Sequence, residues 1–251
     1  MGKAKELIVK PIAAKDANRI VKKLHYSGKV VPNSQLHFGV FLDGRCGGAL
    51  QFGPSFDKRK TQLLVADTGW NQFIELNRMA FADWLPKYGE SRCIAYCLRY
   101  IKKNYPHIKW VISFADGCQC GDGTIYRASG FELTGIKKNS SILRLESGEI
   151  VASMTYTKGK HILVQRGRAG KPEGSKALDG NQLRYIYFID KAYKDKLTVP
   201  VLPYSKIGEL GAGMYKGKKR ATSIGTDAPA THAGEGGANP TVALQTLRET
   251  G

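Results

Sequence analysis

The chain contains no long apolar run, which excludes a membrane-crossing helix of roughly 20 residues. It also lacks a basic amphipathic helix with a Trp or Phe face, the usual means of lying on a membrane surface. After Met1 the apolar residues are few and are interrupted by Lys10 and Pro11, so no signal peptide is expected. Carboxylates are scarce: 21 Asp and Glu stand against 39 Lys and Arg, for a net charge of +18 at pH 7. Such an excess is extreme for an enzyme of small neutral metabolites. It points to a polyanionic partner, with nucleic acid ahead of lipid headgroups. Five cysteines, an odd number in a chain without an export signal, imply reduced thiols in a cytosol. Cys93 and Cys97 lie one helical turn apart and Cys118 and Cys120 flank Gln119, but these are not common zinc spacings. Cys93 and Cys97 instead suit small core positions beside Ile94, Leu98 and Ile101. Internal repeats are also missing.

What is present suffices for one sizeable core, since 42% of 251 residues are hydrophobic. Leu7 to Val9 reads as a strand ending at Pro11, and Ala13, Ala17, Ile20, Val21 and Leu24 have helical spacing. Two apolar runs, Leu36–Leu42 and Cys46–Phe52, flank Asp43-Gly44, the signature of a tight hairpin. A loop from Gly53 to Asn71 leads to a strand from Phe73 to Ala80. A helix from Ser91 to Asn104 follows, with Ile94, Cys97, Leu98, Ile101 and Tyr105 on its buried stripe, and stops before Pro106. Trp110 to Phe114 is almost wholly apolar, as in a strand covered on both faces. A glycine-rich turn then gives a short helix, Thr124 to Ser129, closed by Gly130. Further on lie a hairpin around Ser147-Gly148 and a strand from Leu183 to Ile189. From about residue 206 the composition shifts to that of a basic, Gly/Ala-rich tail.

Polar residues collect where these elements end. Gly89-Glu90-Ser91-Arg92 opens a helix whose free amides and dipole suit a pyrophosphate, with Ser91 and Arg92 as its ligands; the plainer use is a Ser91 cap and a solvated Arg92. Asp116 ends a buried strand at the crevice where open sheets bind ligands, or it simply starts the turn with Gly117. Glu75 and Asn77 alternate with Leu76 and Arg78, which by strand pleat places the two polar residues on one face and Arg78 on the other. Arg78 then binds a phosphate or carbonyl, or pairs with Glu75 or Asp83. His25-Tyr26 follows the first helix, where a neutral imidazole can move protons or merely finish the helix. Tyr126, on the short helix, reads by itself as an amphipathic core residue. Lys137, Lys138 and Arg144 lead into a basic loop holding Lys158, Lys160, His161, Arg166, Arg168, Lys171 and Lys176, with Lys216 to Arg220 downstream. These fit tracking of a DNA backbone, the alternative being solvated charge.

Leu24-His25-Tyr26-Ser27, Glu75-Leu76-Asn77-Arg78-Met79, Glu90-Ser91-Arg92, Ser113-Phe114-Ala115-Asp116 and Gly123-Thr124-Ile125-Tyr126-Arg127-Ala128 stand in that order between Leu7 and Ile207. Together they resemble the phage Mom proteins, adenine-modifying enzymes typified by that of phage Mu. The resemblance implies an α/β (α+β), GNAT-like acyltransferase fold: a mixed, mostly antiparallel central sheet with helices on both faces. It also implies a methylcarbamoyl group placed on the exocyclic amine of adenine in double-stranded phage DNA, in the host bacterial cytoplasm, protecting the DNA from restriction. Reaching that amine for chemistry calls for flipping the base, with Tyr26, Trp70, Trp84 or Tyr88 available to stack on it. The donor implied by the fold is acetyl-CoA or a related acyl donor, metal participation being left open. The Lys87 to Arg92 turn departs from the usual GNAT glycine-rich turn, which weighs against acetyl-CoA itself.

On this resemblance Asp116 and His25 handle the acceptor proton, Tyr26 and Arg78 position the reactants, Tyr126 protonates the leaving group, and Ser91 and Arg92 hold donor phosphate. Cys120-Gly121-Asp122 stands where the family commonly carries Gly-His, so any role of that histidine does not transfer and His25 is the remaining imidazole. The expected organisation is a domain over 1–205, with a basic insertion at about 136–182, and a tail over 206–251. Two other classes stay open: a GNAT-type N-acetyltransferase acting on a protein or small amine, and a non-catalytic DNA-binding phage protein.

Overall fold

The computed structural model describes residues 2–153, 172–215 and 218–219. The basic loop residues Lys158, Lys160, His161, Arg166, Arg168 and Lys171, and the stretch from Arg220 onward, lie outside the described residues. So do Lys216 and Gly217.

Asp43 and Gly44 both take positive φ (49° and 75°), the geometry that folds a right-twisted strand pair back on itself. They join β2 (Leu36–Leu42) to β3 (Arg45–Gly53) after β1 (Ile8–Pro11) and α1 (Ala14–Leu24). The stretch expected to be a loop carries a five-residue helix, α2 (Lys58–Gln62). Asp57 caps it by accepting from the Lys60 amide at 3.3 Å, a start signal with no apolar periodicity behind it to betray a helix. β4 (Phe73–Phe81), α3 (Gly89–Asn104), β5 (Trp110–Gly117) and α4 (Thr124–Ala128) come next, then β6 (Glu132–Lys138). The insertion contributes β7 (Ile142–Arg144), β8 (Ile150–Ala152) and β9 (Lys176–Ala177), a small separate sheet, before β10 (Asn181–Phe188).

The central sheet runs β1-β2-β3-β4-β5-β10-β6. Every neighbouring pair is antiparallel except β4 and β5, which are parallel. The expected mixed α/β class with a mostly antiparallel sheet is therefore borne out. Ala17 and Val21 of α1 pack on Ala49 and Ala80 on one face. Cys93, Ile94, Cys97, Leu98 and Ile101 of α3 join Phe38, Leu50, Phe52 and Leu76 on the other. Burying a side chain the size of Val or Ile contributes about 1.5–3 kcal/mol, so each helix is held mainly by its apolar stripe. Trp110, fully buried, stacks on Phe73 at 4.6 Å and donates to Thr68 Oγ1 at 3.1 Å.

Two irregularities interrupt the sheet at β4. This strand pairs with β5 only from Phe73 opposite Trp110 to Glu75 opposite Ile112, whereas β5 stays with β10 over its whole length. Beyond those three pairs the two strands part. On its other side β4 carries a bulge: Gln51 faces Arg78 and Phe52 faces Leu76, leaving Asn77 as the extra residue. The bulge overturns the face assignment expected from simple alternation. Leu76 sits in the α3-side cluster and Ala80 in the α1-side cluster, so Arg78 faces α1. Glu75 lies on the face opposite Leu76, which is Arg78's side.

The packed body also extends past the tail boundary expected at residue 206. In α5 (Ser205–Glu209) Ile207 is buried, as are Ala212 and Met214 beyond it. The Asp122 amide donates to the Met214 carbonyl at 3.0 Å, and the Asp122 carboxylate accepts from the Met214 amide at 3.3 Å. Three apolar side chains in a Gly/Ala/Lys-rich stretch are enough to seat it, although its composition reads as unstructured.

Candidate active site

The gap between the parting strands is pinned at its narrow end by Ser113. This residue is fully buried and its Oγ donates to the Leu76 carbonyl of β4 at 3.0 Å, one step beyond the last backbone pair. The same hydroxyl lies beside the phenol of Tyr126 and acts on its acidity. Tyr126 reaches it from α4, whose start is fixed by Gly123 in a left-handed conformation (φ 85°). Phe131 and Tyr185 brace its ring at centroid distances of 5.5 and 5.3 Å. Burial pushes the Tyr126 phenol up to about 12, with Ser113 pulling weakly the other way, so it holds its proton at neutral pH.

At the carboxyl end of β5, Asp116 accepts from the Cys118 amide at 2.9 Å and from Gln119 Nε2 at 2.8 Å. The turn-forming role is thus present. Each carboxylate oxygen nonetheless keeps a second lone pair, and Asp116 also acts electrostatically on Tyr26. Tyr26 is half exposed, and burial first, then Asp116, pushes its phenol upward. Its charge neighbours include Arg78, Cys120 and Tyr126, so residues from β4, β5, α4 and the loop between β5 and α4 gather around it. Arg78 donates from Nε to the Lys29 carbonyl at 2.8 Å and from Nη1 to the Asn77 carbonyl at 2.6 Å. It thereby fastens the segment after α1 to the rim of the gap.

His25 lies against Tyr26 with ring centroids 4.3 Å apart and the planes tilted by 30°. The Ser27 amide donates to its Nδ1 at 3.2 Å, and Ser27 Oγ lies 2.8 Å from the same atom. An amide can only donate, so Nδ1 carries the lone pair and Nε2 the proton. Burial, then the Arg78 guanidinium, lowers this imidazole to about 4. It is neutral at pH 7, and it offers the site a donor rather than a base. Because the folded state binds this proton less readily than the unfolded chain, whose histidine titrates near 6.5, the stability contributed by neutral His25 is lost as pH falls from about 6.5 toward 4. Thermal denaturation across that window is expected to show a shallower acid decline for His25→Gln than for the natural chain; parallel curves would contradict the assignment.

Beneath Arg78, the Glu75 carboxyl is pushed up by burial, although Ser55 and the Phe56 amide hydrogen-bond it. Its Oε2 and the Nδ2 of Asn77 are buried without hydrogen-bond partners among the described residues. Asn77 Oδ1 accepts from Ser34 Oγ at 2.9 Å and its Nδ2 lies beside Gly53, so the bulge turns this amide toward β3 rather than toward β5.

His25, Tyr26, Arg78, Asp116 and Tyr126 are therefore drawn together. Ser91 and Arg92 are not part of that cluster: they occupy the first turn of α3, which rests on Lys3–Leu7, and Arg92 reaches the Lys5 carbonyl at 3.5 Å. No side chain caps this helix, and Tyr88 precedes it in a left-handed conformation. Of the four aromatic residues suited to stacking on a base, Tyr26 lines the cluster. Trp70 lies beneath Lys58, Trp84 beneath Arg45, and Tyr88 at the α3 cap. Ser113 and Cys120 are additions the sequence did not single out as site residues. The one available signal was a lone hydroxyl inside the apolar run Trp110–Phe114. Cys120 occupies the loop where a histidine was expected, and burial, then Asp116, pushes its thiol upward.

Among the described residues no group of three or more His, Cys, Asp or Glu side chains is arranged to hold a metal ion, and no helix is long and apolar enough to cross a membrane. Residues 6–206 match the Mom protein family. Over 210 residues the chain is 38% identical to methylcarbamoylase Mom of Escherichia phage Mu, covering 81% of this chain and 85% of that protein. Solved structures with similar coordinates include the ribosomal-protein-S18-alanine N-acetyltransferase of Escherichia coli (10% identity, 73% of this chain and 94% of that one, TM-score 0.42). A spermidine/spermine N-acetyltransferase of Vibrio cholerae is similar at 10% identity, 76% and 98% coverage, and a TM-score of 0.43.

Proposed function

The chain belongs to the Mom protein family, and we propose that it is a transferase placing a methylcarbamoyl group on the exocyclic amine of adenine in phage DNA, so that the DNA resists host restriction. The observation that carries this reading is the gap between β4 and β5, with the side chains of His25, Tyr26, Arg78, Asp116 and Tyr126 gathered around it.

The gap fits an extended, amide-bearing carrier such as the arm of a coenzyme A-type donor. Leu76–Phe81 of β4 and Ser113–Gly117 of β5 pair with β3 and β10 on their outer sides and, among the described residues, with no strand across the gap. Apart from the Leu76 carbonyl, held by Ser113, and the Asn77 carbonyl, held by Arg78, their inner edges are left to bond such a guest. Ser91, Arg92 and the uncapped first-turn amides of α3 would hold its phosphates. When bound, such a carrier supplies the group in activated, thioester-like form. The remaining work falls to the chain. Asp116 orients the adenine amine and takes its proton as the new N–C bond forms. Arg78 and the Nε2–H of His25 steady the group being transferred. Tyr26 stacks on the flipped base, and Tyr126 gives its proton to the departing sulfur.

The test is mass spectrometry of nucleosides from DNA of cells expressing the chain. Modified adenosine is expected with the natural sequence and should vanish with Asp116→Asn, which keeps the acceptor for the Cys118 amide while removing the charge. Unmodified adenine despite folded natural protein would refute the reading.

A further inference from the structure

The outward side of α1 is more basic than a solvated helix face requires. Lys15, Arg19, Lys22 and Lys23 are exposed along it and, with Asn18, line a shallow groove of about 660 Å³. One carboxylate shares this face, Asp16, and it is engaged by Arg19 at 3.1 Å. Among the described residues no carboxylate lies within ion-pair distance of Lys15, Lys22 or Lys23. The opposite side of the helix is committed to the sheet through Ala17 and Val21, and Asn18 Oδ1 accepts from the buried Gln51 Nε2 at 2.9 Å. The cations therefore stand on a fixed platform.

That platform leads directly into the site. The helix ends at Leu24, and the next two residues are His25 and Tyr26. The chain then runs to Lys29, whose carbonyl Arg78 holds and whose ammonium lies 3.7 Å from Glu149 in the β7–β8 turn of the basic insertion. From Lys15 to Lys23 the helix spans roughly 12 Å, enough to meet successive phosphates of one strand, which repeat about every 3.4 Å along a duplex.

We infer that the exposed face of α1 is a phosphate-backbone docking surface for double-stranded DNA, which sets the flipped adenine over Tyr26. This rests on the DNA-modification reading and adds the surface that grips the substrate. Nucleic acid suits this face because the side chains lining it are four cations and Asn18, with no aromatic or branched apolar residue among them to anchor a protein partner.

The experiment compares the full natural chain, a variant carrying Lys15→Gln, Arg19→Gln, Lys22→Gln and Lys23→Gln, and a variant carrying Lys15→Arg, Lys22→Arg and Lys23→Arg. Binding to a fluorescent duplex is measured by anisotropy over a range of salt, with thermal melting as the check on folding. The glutamine variant is expected to melt like the natural chain and to bind at least about tenfold more weakly. Its log–log salt slope should become shallower by roughly 0.9 for each phosphate contact removed. The arginine variant should bind as the natural chain does. Unchanged affinity and slope in a folded glutamine variant would overturn the α1 assignment and leave the modification reading standing. Failure of the natural chain itself to bind or modify DNA would instead remove the modification reading, and this surface with it.

Discussion

Replacing Tyr126 by Phe is expected to lower the rate of adenine modification by about 100-fold or more while leaving the melting temperature nearly unchanged. The ring contacts with Phe131 and Tyr185 survive the change, and only the hydroxyl beside Ser113 is lost. A phenol raised to about 12 is a proton donor at neutral pH, and its position at the narrow end of the gap is where a leaving group at the end of an extended carrier would arrive. The measurement is single-turnover modification of a duplex by purified protein, beside a melting curve. Full activity in the Phe variant would remove Tyr126 from the mechanism. A matching loss in Ser113→Ala would show that the bridge from Leu76, rather than the phenol's proton, is the critical element.

Gly123→Ala is expected to be the most damaging single-methyl change near the site, destabilising the protein by about 3 kcal/mol. A Cβ at this position would lie 2.4 Å from Cε2 and 2.7 Å from Cζ of Tyr185, and φ of +85° is costly for any residue with a side chain. Tyr185 has nowhere to go: it is fully buried, and its hydroxyl donates to the Asp122 carbonyl at 2.5 Å. Relief must come from moving the start of α4, which carries Tyr126 with it. Chemical denaturation should show the loss, and activity at a temperature where the variant is folded should fall too. Natural stability would mean that the loop relaxes around Tyr185 at little cost.

The contrast between what could be read from the sequence and what could not reflects the range of the forces involved. The Asp43-Gly44 hairpin, the apolar stripe of α3 and the covered strand from Trp110 are set by neighbours a few residues apart, and they stand where local pattern places them. Asp116 and His25-Tyr26 were visible for a related reason: they stand at the ends of β5 and α1, and element ends are local, while Tyr126 was visible because it follows the glycine turn that opens α4. The bulge at Asn77 was not visible, because an extra residue in β4 exists only relative to the register of β3. Simple alternation therefore put Arg78 on the wrong face. Ser113 was passed over because its acceptor, the Leu76 carbonyl, lies 37 positions away. The packed stretch after residue 205 was misjudged because three anchoring side chains leave little mark on average composition. Ser91 and Arg92 obey the same logic in reverse: the helix start was legible, while its neighbour, the Lys3–Leu7 segment, was not.

The unzipped stretch of the sheet has a consequence for how the chain folds as well as for what it binds. Two strand margins that face each other across a narrow wedge are a standing invitation to close up or to capture a neighbouring chain during synthesis. Lengthening one margin by a residue shifts the pleat on that side, so the two do not mesh. The defect that keeps the doorway open thus also protects the nascent protein from sealing it.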